Sequence, residues 1–241
     1  MGIGAMTQPI RERQQQLQDE LVSQGDLVEE LLIRAVDLLK QSSLDTLERL
    51  GEETRQVHKK RLAIEMGCLS LIATRRPREE ELRQLVAMVE IAAELEHVAE
   101  HASRVARVNY LVADHQLRRP LASIQRMASK VQSPLNQVLE AFVLGDLALV
   151  EVALLESQEV NDLYGQAYEE LLEVMKSKPR IANQAIYLSR AAYNLKRAAE
   201  RVAGMCNWVG YSITGTMDTL TPLRGPAMAE TELAHDESMI G

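Results

Sequence analysis

The sequence predicts an all-α protein made of two tandem three-helix up-down bundles related by an internal repeat. Three observations lead there. Leu, Ala, Val, Glu, Gln and Arg dominate while aromatics make up only 3%, a balance that favours helix over sheet. Apolar residues recur at steps of three and four in successive stretches, which is the period of one helix face. Landmarks of the first half then return in the same order in the second half.

The elements follow in order. Thr7 or Gln8 is expected to open the first helix, with Pro9 in its first turn. Its stripe is Leu17, Leu21, Val28, Leu31, Ala35 and Leu38. Ser42-Ser43 offers a cap for a second helix over about 44–73, which Arg75-Arg76-Pro77 ends because proline biases the residue before it away from the helical region. The third begins with Glu79, Glu80 and Glu81, where the macrodipole favours acids. Its seam, Leu85, Met88, Ala92, Leu95, Ala99, Ala102 and Ala106, alternates steps of three and four and fades near Asp114. Leu117 to Pro120 reads as a linker. A fourth helix is expected from Leu121 to Gly145-Asp146, with a kink or break at Pro134. A fifth runs from about Leu147 to Met175. The sixth has the seam Leu188, Ala192, Leu195, Ala199, Val202, Cys206 and Val209, with Gly210 and Gly215 marking its end.

Glu53 and Glu156 stand 103 residues apart, Pro77 and Pro179 102, and Leu95 and Leu195 100. A nearly constant offset over three ordered landmarks argues for duplication of one unit. Short loops between long helices favour antiparallel neighbours, so each unit is expected to be a three-helix bundle. The resulting organisation is one repeat over 1–115, a second over 121–215, and an acidic tail over 216–241. The tail holds five acids and one base and is expected to be mobile.

A net charge of −8 and few aromatics leave no footprint for nucleic acid. Cys68 and Cys206 show no CxxC spacing, so reduced thiols in a cytosolic setting are expected. The N-terminus lacks the pattern of a signal peptide, and no apolar run reaches the ~20 residues of a membrane span.

The densest chemical cluster is Glu94, Glu96, His97, Glu100 and His101. Glu96 and Glu100 are four apart and share one helix stripe, where two carboxylates can hold a divalent or ferric ion. Charged stripes of this spacing also occur on plain solvated helix edges. Glu94 and His97 form an ExxH spacing of the kind used twice by di-iron bundles. The other ExxH match, Glu232 to His235, falls in the tail. His58 and His115 read as isolated, and Lys59-Lys60-Arg61 and Arg75-Arg76 as solvated basic spots. There is no phosphate-binding loop, dinucleotide fingerprint or nucleophile elbow, so no catalytic residue is assigned.

The repeat resembles the PhoU family, bacterial regulators of phosphate uptake. The resemblance rests on Pro77 followed by Glu81-Leu82-Arg83, on Leu95-Glu96-His97-Val98-Ala99-Glu100-His101, and on Val160-Asn161-Asp162-Leu163-Tyr164. It covers roughly residues 10–215 and implies tandem three-helix bundles whose third helices carry metal-binding acids. It further implies a cytoplasmic, non-enzymatic regulator, peripheral at the inner face of the membrane. Its partners would be the ATPase of a phosphate ABC transporter, a sensor histidine kinase, or both. Many apolar helix faces make a homodimer the expected assembly.

This sequence departs from that family's pattern. Glu96 keeps the motif's glutamate and Glu100 replaces its aspartate, while His58 stands where helix two would carry an acid. In the second unit Lys196, Arg201 and Asn161 replace the motif's glutamate, histidine and aspartate. Cationic side chains offer a metal no lone pair. The second unit is therefore expected to bind no metal and the first to bind one weakly through Glu96 and Glu100. Lys196 and Glu200 are expected to form a salt bridge instead. Two other functions follow from the same residues: a PhoU-fold relative reassigned to another transporter or signalling partner, and a di-iron type enzyme.

Overall fold

The computed structural model describes residues 4–39, 44–108 and 118–217. Six helices follow in chain order: α1 (Gly4–Leu38), α2 (Leu44–Arg75), α3 (Glu79–Arg107), α4 (Arg118–Leu144), α5 (Leu147–Ser177) and α6 (Ala182–Thr214). A 3-10 turn, Pro179–Ile181, leads into α6. There is no strand among the described residues, as the composition and apolar period predict. Of the expected linker, Leu117 lies outside the described residues, as does His115, while Arg118 to Pro120 belong to α4. The expected mobile tail beyond Met217, with Glu232 and His235, lies outside the described residues too.

Local chemistry sets the helix ends. Arg76 leaves the helical region at φ 48° directly before Pro77, and α2 stops there. The Arg78 N–H then donates to Glu81 Oε2 at 3.0 Å, and three acids fill the first turn of α3. Asp146 caps α5, its Oδ1 accepting from the N–H groups of Ala148 (2.9 Å) and Leu149 (3.2 Å). Gly215, at φ 79°, closes α6 by donating its N–H to the Tyr211 carbonyl at 2.9 Å.

Four expectations about boundaries are corrected. The first helix begins at Gly4, so Pro9 lies past its first turn. The fourth starts at Arg118, which places Pro120 in the first turn, where a missing N–H costs no helical bond. Pro134 does not break α4, which is continuous to Leu144. Its ring is buried, and the fully buried Val131, Leu135 and Val138 hold the helix on the core through that turn. Gly210 does not end α6 either; it is buried mid-turn, and the stop comes at Gly215.

Within each repeat, consecutive helices run antiparallel. Lys60 donates to Ser23 Oγ at 3.1 Å and Arg34 pairs with Glu53, which sets α2 against α1. Ser133 Oγ–H donates to Glu156 at 2.7 Å and Ser123 Oγ–H to Glu170 at 2.8 Å, which sets α5 against α4. The two repeats join chiefly through α3 and α6. Both predicted seams are buried along their length. The alanines in them allow these two helices to lie close, because small side chains shorten the interaxial distance. One continuous apolar core runs through both repeats, and burial of that surface is the main stabilising term.

Candidate functional site

The acids of α3 were expected to act together; the fold turns them to different neighbours. Leu95, Val98, Ala99 and Ala102 are fully buried and so fix the rotation of α3 about its axis. That rotation aims Glu96 at α2. Its Oε1 lies 2.6 Å from His58 Nδ1 and its Oε2 3.5 Å from Arg61 Nε. The Glu96 side chain retains only 18% of its exposure, so these contacts replace water that the carboxylate has lost. Glu100, one turn on, pairs with Arg104 of its own helix at 3.0 Å. His97 is exposed.

Glu94 and His101 face the other repeat. Glu94 Oε2 lies 3.5 Å from Arg201 Nη1 of α6. Burial pushes its carboxyl above the ordinary carboxylate range, and the Arg201 guanidinium pulls the other way. His101 Nδ1 lies 3.0 Å from Asn194 Oδ1 and 3.1 Å from Arg104 Nη1. Burial lowers its pKa; the Asn194 hydrogen bond opposes this, and Arg104, Arg197 and Arg201 add to it.

The matching face of the second repeat is cationic. Lys196 Nζ lies 3.9 Å from Glu200 Oε1, the salt bridge expected from the sequence, and sits over the Tyr164 ring at 5.4 Å from its centre. Arg197 also pairs with Glu200. Asn161 and Asp162, on α5, are exposed.

These donor sets do not suit the metal ion that the resemblance implies. Around Glu96 and Glu100 the neighbouring groups are a histidine and two guanidinium groups, and the second carboxylate turns to Arg104. Around Glu200 they are an ammonium and a guanidinium, which repel a cation. Among the described residues, no three His, Cys, Asp or Glu side chains are grouped to hold a metal ion. The ExxH pair is likewise divided, Glu94 facing Arg201 and His97 facing solvent.

Two expectations are corrected here. His58 is not isolated but is the nearest partner of Glu96. Arg61 is not a free basic spot, since it bridges Glu65 (3.1 Å) and Glu96. The signal was present: His58, Arg61 and Glu65 fall three and four apart on one face of α2. What the sequence lacked was the register of α2 against α3. Asn194 and Arg201 went unnoticed as partners of α3 for the same reason.

The PhoU domain model matches the chain twice, over residues 21–108 and 124–209. The chain is 23% identical over 220 residues to the phosphate-specific transport system accessory protein PhoU of Serratia marcescens, covering 91% of this chain and 90% of that protein. It is 23% identical over 199 residues to the Escherichia coli protein of the same name, 83% of each chain. The crystal structure of PhoU from Pseudomonas aeruginosa superposes with a TM-score of 0.80 at 24% identity, covering 86% of this chain and 99% of that one. PhoU from Streptococcus pneumoniae, described as a phosphate transport system regulatory protein, gives 0.80 at 21% identity over 89% of this chain and 100% of its own. Two matched domains, each spanning one three-helix repeat and together covering most of the chain, show that this protein belongs to the PhoU family.

Proposed function

We propose that this chain is a non-enzymatic regulator of phosphate uptake that works by protein–protein contact in the cytoplasm, at the inner face of the membrane. The observation that carries the reading is the double PhoU match over most of the six-helix body, together with relatives named as accessory proteins of phosphate-specific transport. Long helical faces suit such contacts, and among the described residues no helix is long and apolar enough to cross a membrane. The partner would be the transporter's ATPase, a phosphate-responsive sensor histidine kinase, or both. Affinity capture from phosphate-replete cells should recover one of them, and a deletion strain should lose repression of phosphate uptake. Recovery of neither, with normal phosphate control, overturns the reading.

The changed side chains at Lys196, Arg201 and Asn161 favour a second reading, in which the same fold serves another transporter or signalling partner. Capture of that other partner in the same experiment separates the two. In either case Glu96 and Glu100 act as ion-pair anchors, and a divalent or ferric ion binds weakly there. Metal analysis of the purified protein should return well under one ion per chain; a full equivalent lost in Glu96→Ala overturns this. A homodimer is part of the proposal, supported by exposed apolar side chains such as Val152 and Leu155 on α5, and light scattering checks it.

A further inference from the structure

The C-terminal turns of α3 meet the N-terminal half of α6 in an open groove of about 780 Å³, closed on one side by α5. Arg104 and Arg107 enter it from α3, and Arg190 and Arg197 from α6. No carboxylate is among its lining residues within the described part of the chain. A chain of net charge −8 thus gathers four guanidinium groups in one concavity. Arg104 and Arg197 are answered from outside the groove by Glu100 and Glu200. Arg107 and Arg190 meet no acidic side chain among the described residues. His101, on the groove wall, has its pKa lowered chiefly by burial, with Arg104 and Arg197 of the groove lowering it further.

The groove is also aromatic. Tyr164 and Tyr187 already carry cations on their faces, Lys196 at 5.4 Å and Arg190 at 6.0 Å from the ring centres. Tyr193 retains 50% of its exposure and has no ring or cation partner among the described residues. Small-molecule sites commonly span about 300–1,000 Å³. An inorganic phosphate fills only a corner of such a space.

We propose that this groove binds a nucleotide carrying two or three phosphates. Arg107 and Arg190, planar donors without acidic partners among the described residues, take the phosphate oxygens through charge-assisted hydrogen bonds. Tyr193 offers its ring to the base, a contact that any base can make. The site spans both repeats, so occupancy would couple α3 to α6. It stands apart from the choice of transporter partner: a failed nucleotide titration leaves the capture experiment unaffected, and the reverse holds too.

The test is calorimetric titration of the full chain with ATP, tripolyphosphate and inorganic phosphate at about 0.15 M salt. ATP should saturate the protein below about 1 mM. Tripolyphosphate, which lacks a base to stack, should bind roughly fivefold more weakly, and phosphate weaker still. Arg107→Gln combined with Arg190→Gln should cost about tenfold or more in ATP affinity. Tyr193→Ala should weaken ATP about fivefold and leave tripolyphosphate unchanged. Thermal melts verify folding; if the double variant does not fold, Arg107→Glu alone is read for the same loss. No saturation by ATP, equal affinity for ATP and tripolyphosphate, or unchanged ATP affinity in the arginine variants overturns the proposal.

Discussion

Helices α3 and α6 occupy the same place in their repeats, yet they meet each other with different chemistry. Position 94 answers to 194 and position 101 to 201, an offset of 100 that the Leu95–Leu195 pair already sets. The antiparallel packing crosses them, so that 94 meets 201 and 194 meets 101. On one side Glu94 faces Arg201, a charged pair 3.5 Å apart. On the other, Asn194 faces His101, a contact of 3.0 Å between a neutral amide and an imidazole whose pKa is lowered. The outer stripes differ in the same way. Glu96 of α3 leans on His58 and Arg61, while Lys196 of α6 leans on Tyr164 and Glu200. A duplicated fold therefore holds its apolar seam in both copies. Beside that seam the polar residues can diverge, provided each copy finds its own partners.

The sharpest way to break this comparison is to remove one partner on each side of the joint. Arg201→Ala leaves the mostly buried Glu94 carboxylate without its cation and should destabilise the fold by about 2 kcal/mol, less whatever Glu94 recovers by taking up a proton. Asn194→Ala should cost about 1 kcal/mol. Urea unfolding measures both, and equal losses would erase the asymmetry.

The outer stripes come next. Glu96→Gln weakens two contacts of a carboxylate that is itself mostly covered and should cost about 1 kcal/mol. Glu200→Gln, in a more exposed cluster, should cost about 0.5 kcal/mol or less. A larger loss from Glu200→Gln would mean that the second repeat relies on its ion cluster more than the first.

His101 gives a pH signature. Its folded pKa lies below the ordinary histidine value, so on acidification the unfolded chain takes up the proton first. Below about pH 6.5 the unfolded state binds more protons, and this site's contribution to stability falls as pH falls. His101→Gln should flatten the loss between pH 6.5 and 5, read from unfolding midpoints against pH. An unchanged slope would remove His101 from the account.

The smallest effect is a silence. Cys68 and Cys206 are fully buried, and burial pushes both thiols up to about 12. A thiol reagent at pH 8 should leave both unlabelled in the native protein and titrate both after denaturation. Fast labelling of one alone would show that its repeat opens first.

Most of the fold was legible in the chain because helix periodicity is local. Leu85 to Ala106 and Leu188 to Val209 announced both seams, and every one of those residues is buried. Pro134 suggested a break that α4 does not show, because a proline's cost, about 3 kcal/mol in a helix interior, is a local quantity. The packing that offsets it comes from another helix. The candidate site was half legible. Spacing put Glu96 and Glu100 on one stripe, but spacing carries no information on what stands opposite.

By itself, then, the sequence determined the six helices, their duplication, the buried faces and the loss of acids from the second repeat, since each depends on residue type and separation along the chain. Only the tertiary structure decided that Glu96 meets His58, that Glu94 crosses to Arg201, and that four arginines from two helices share one groove. These depend on the rotation and register of one helix against another. Many side chains of the buried seams set that register together, and no single motif encodes it.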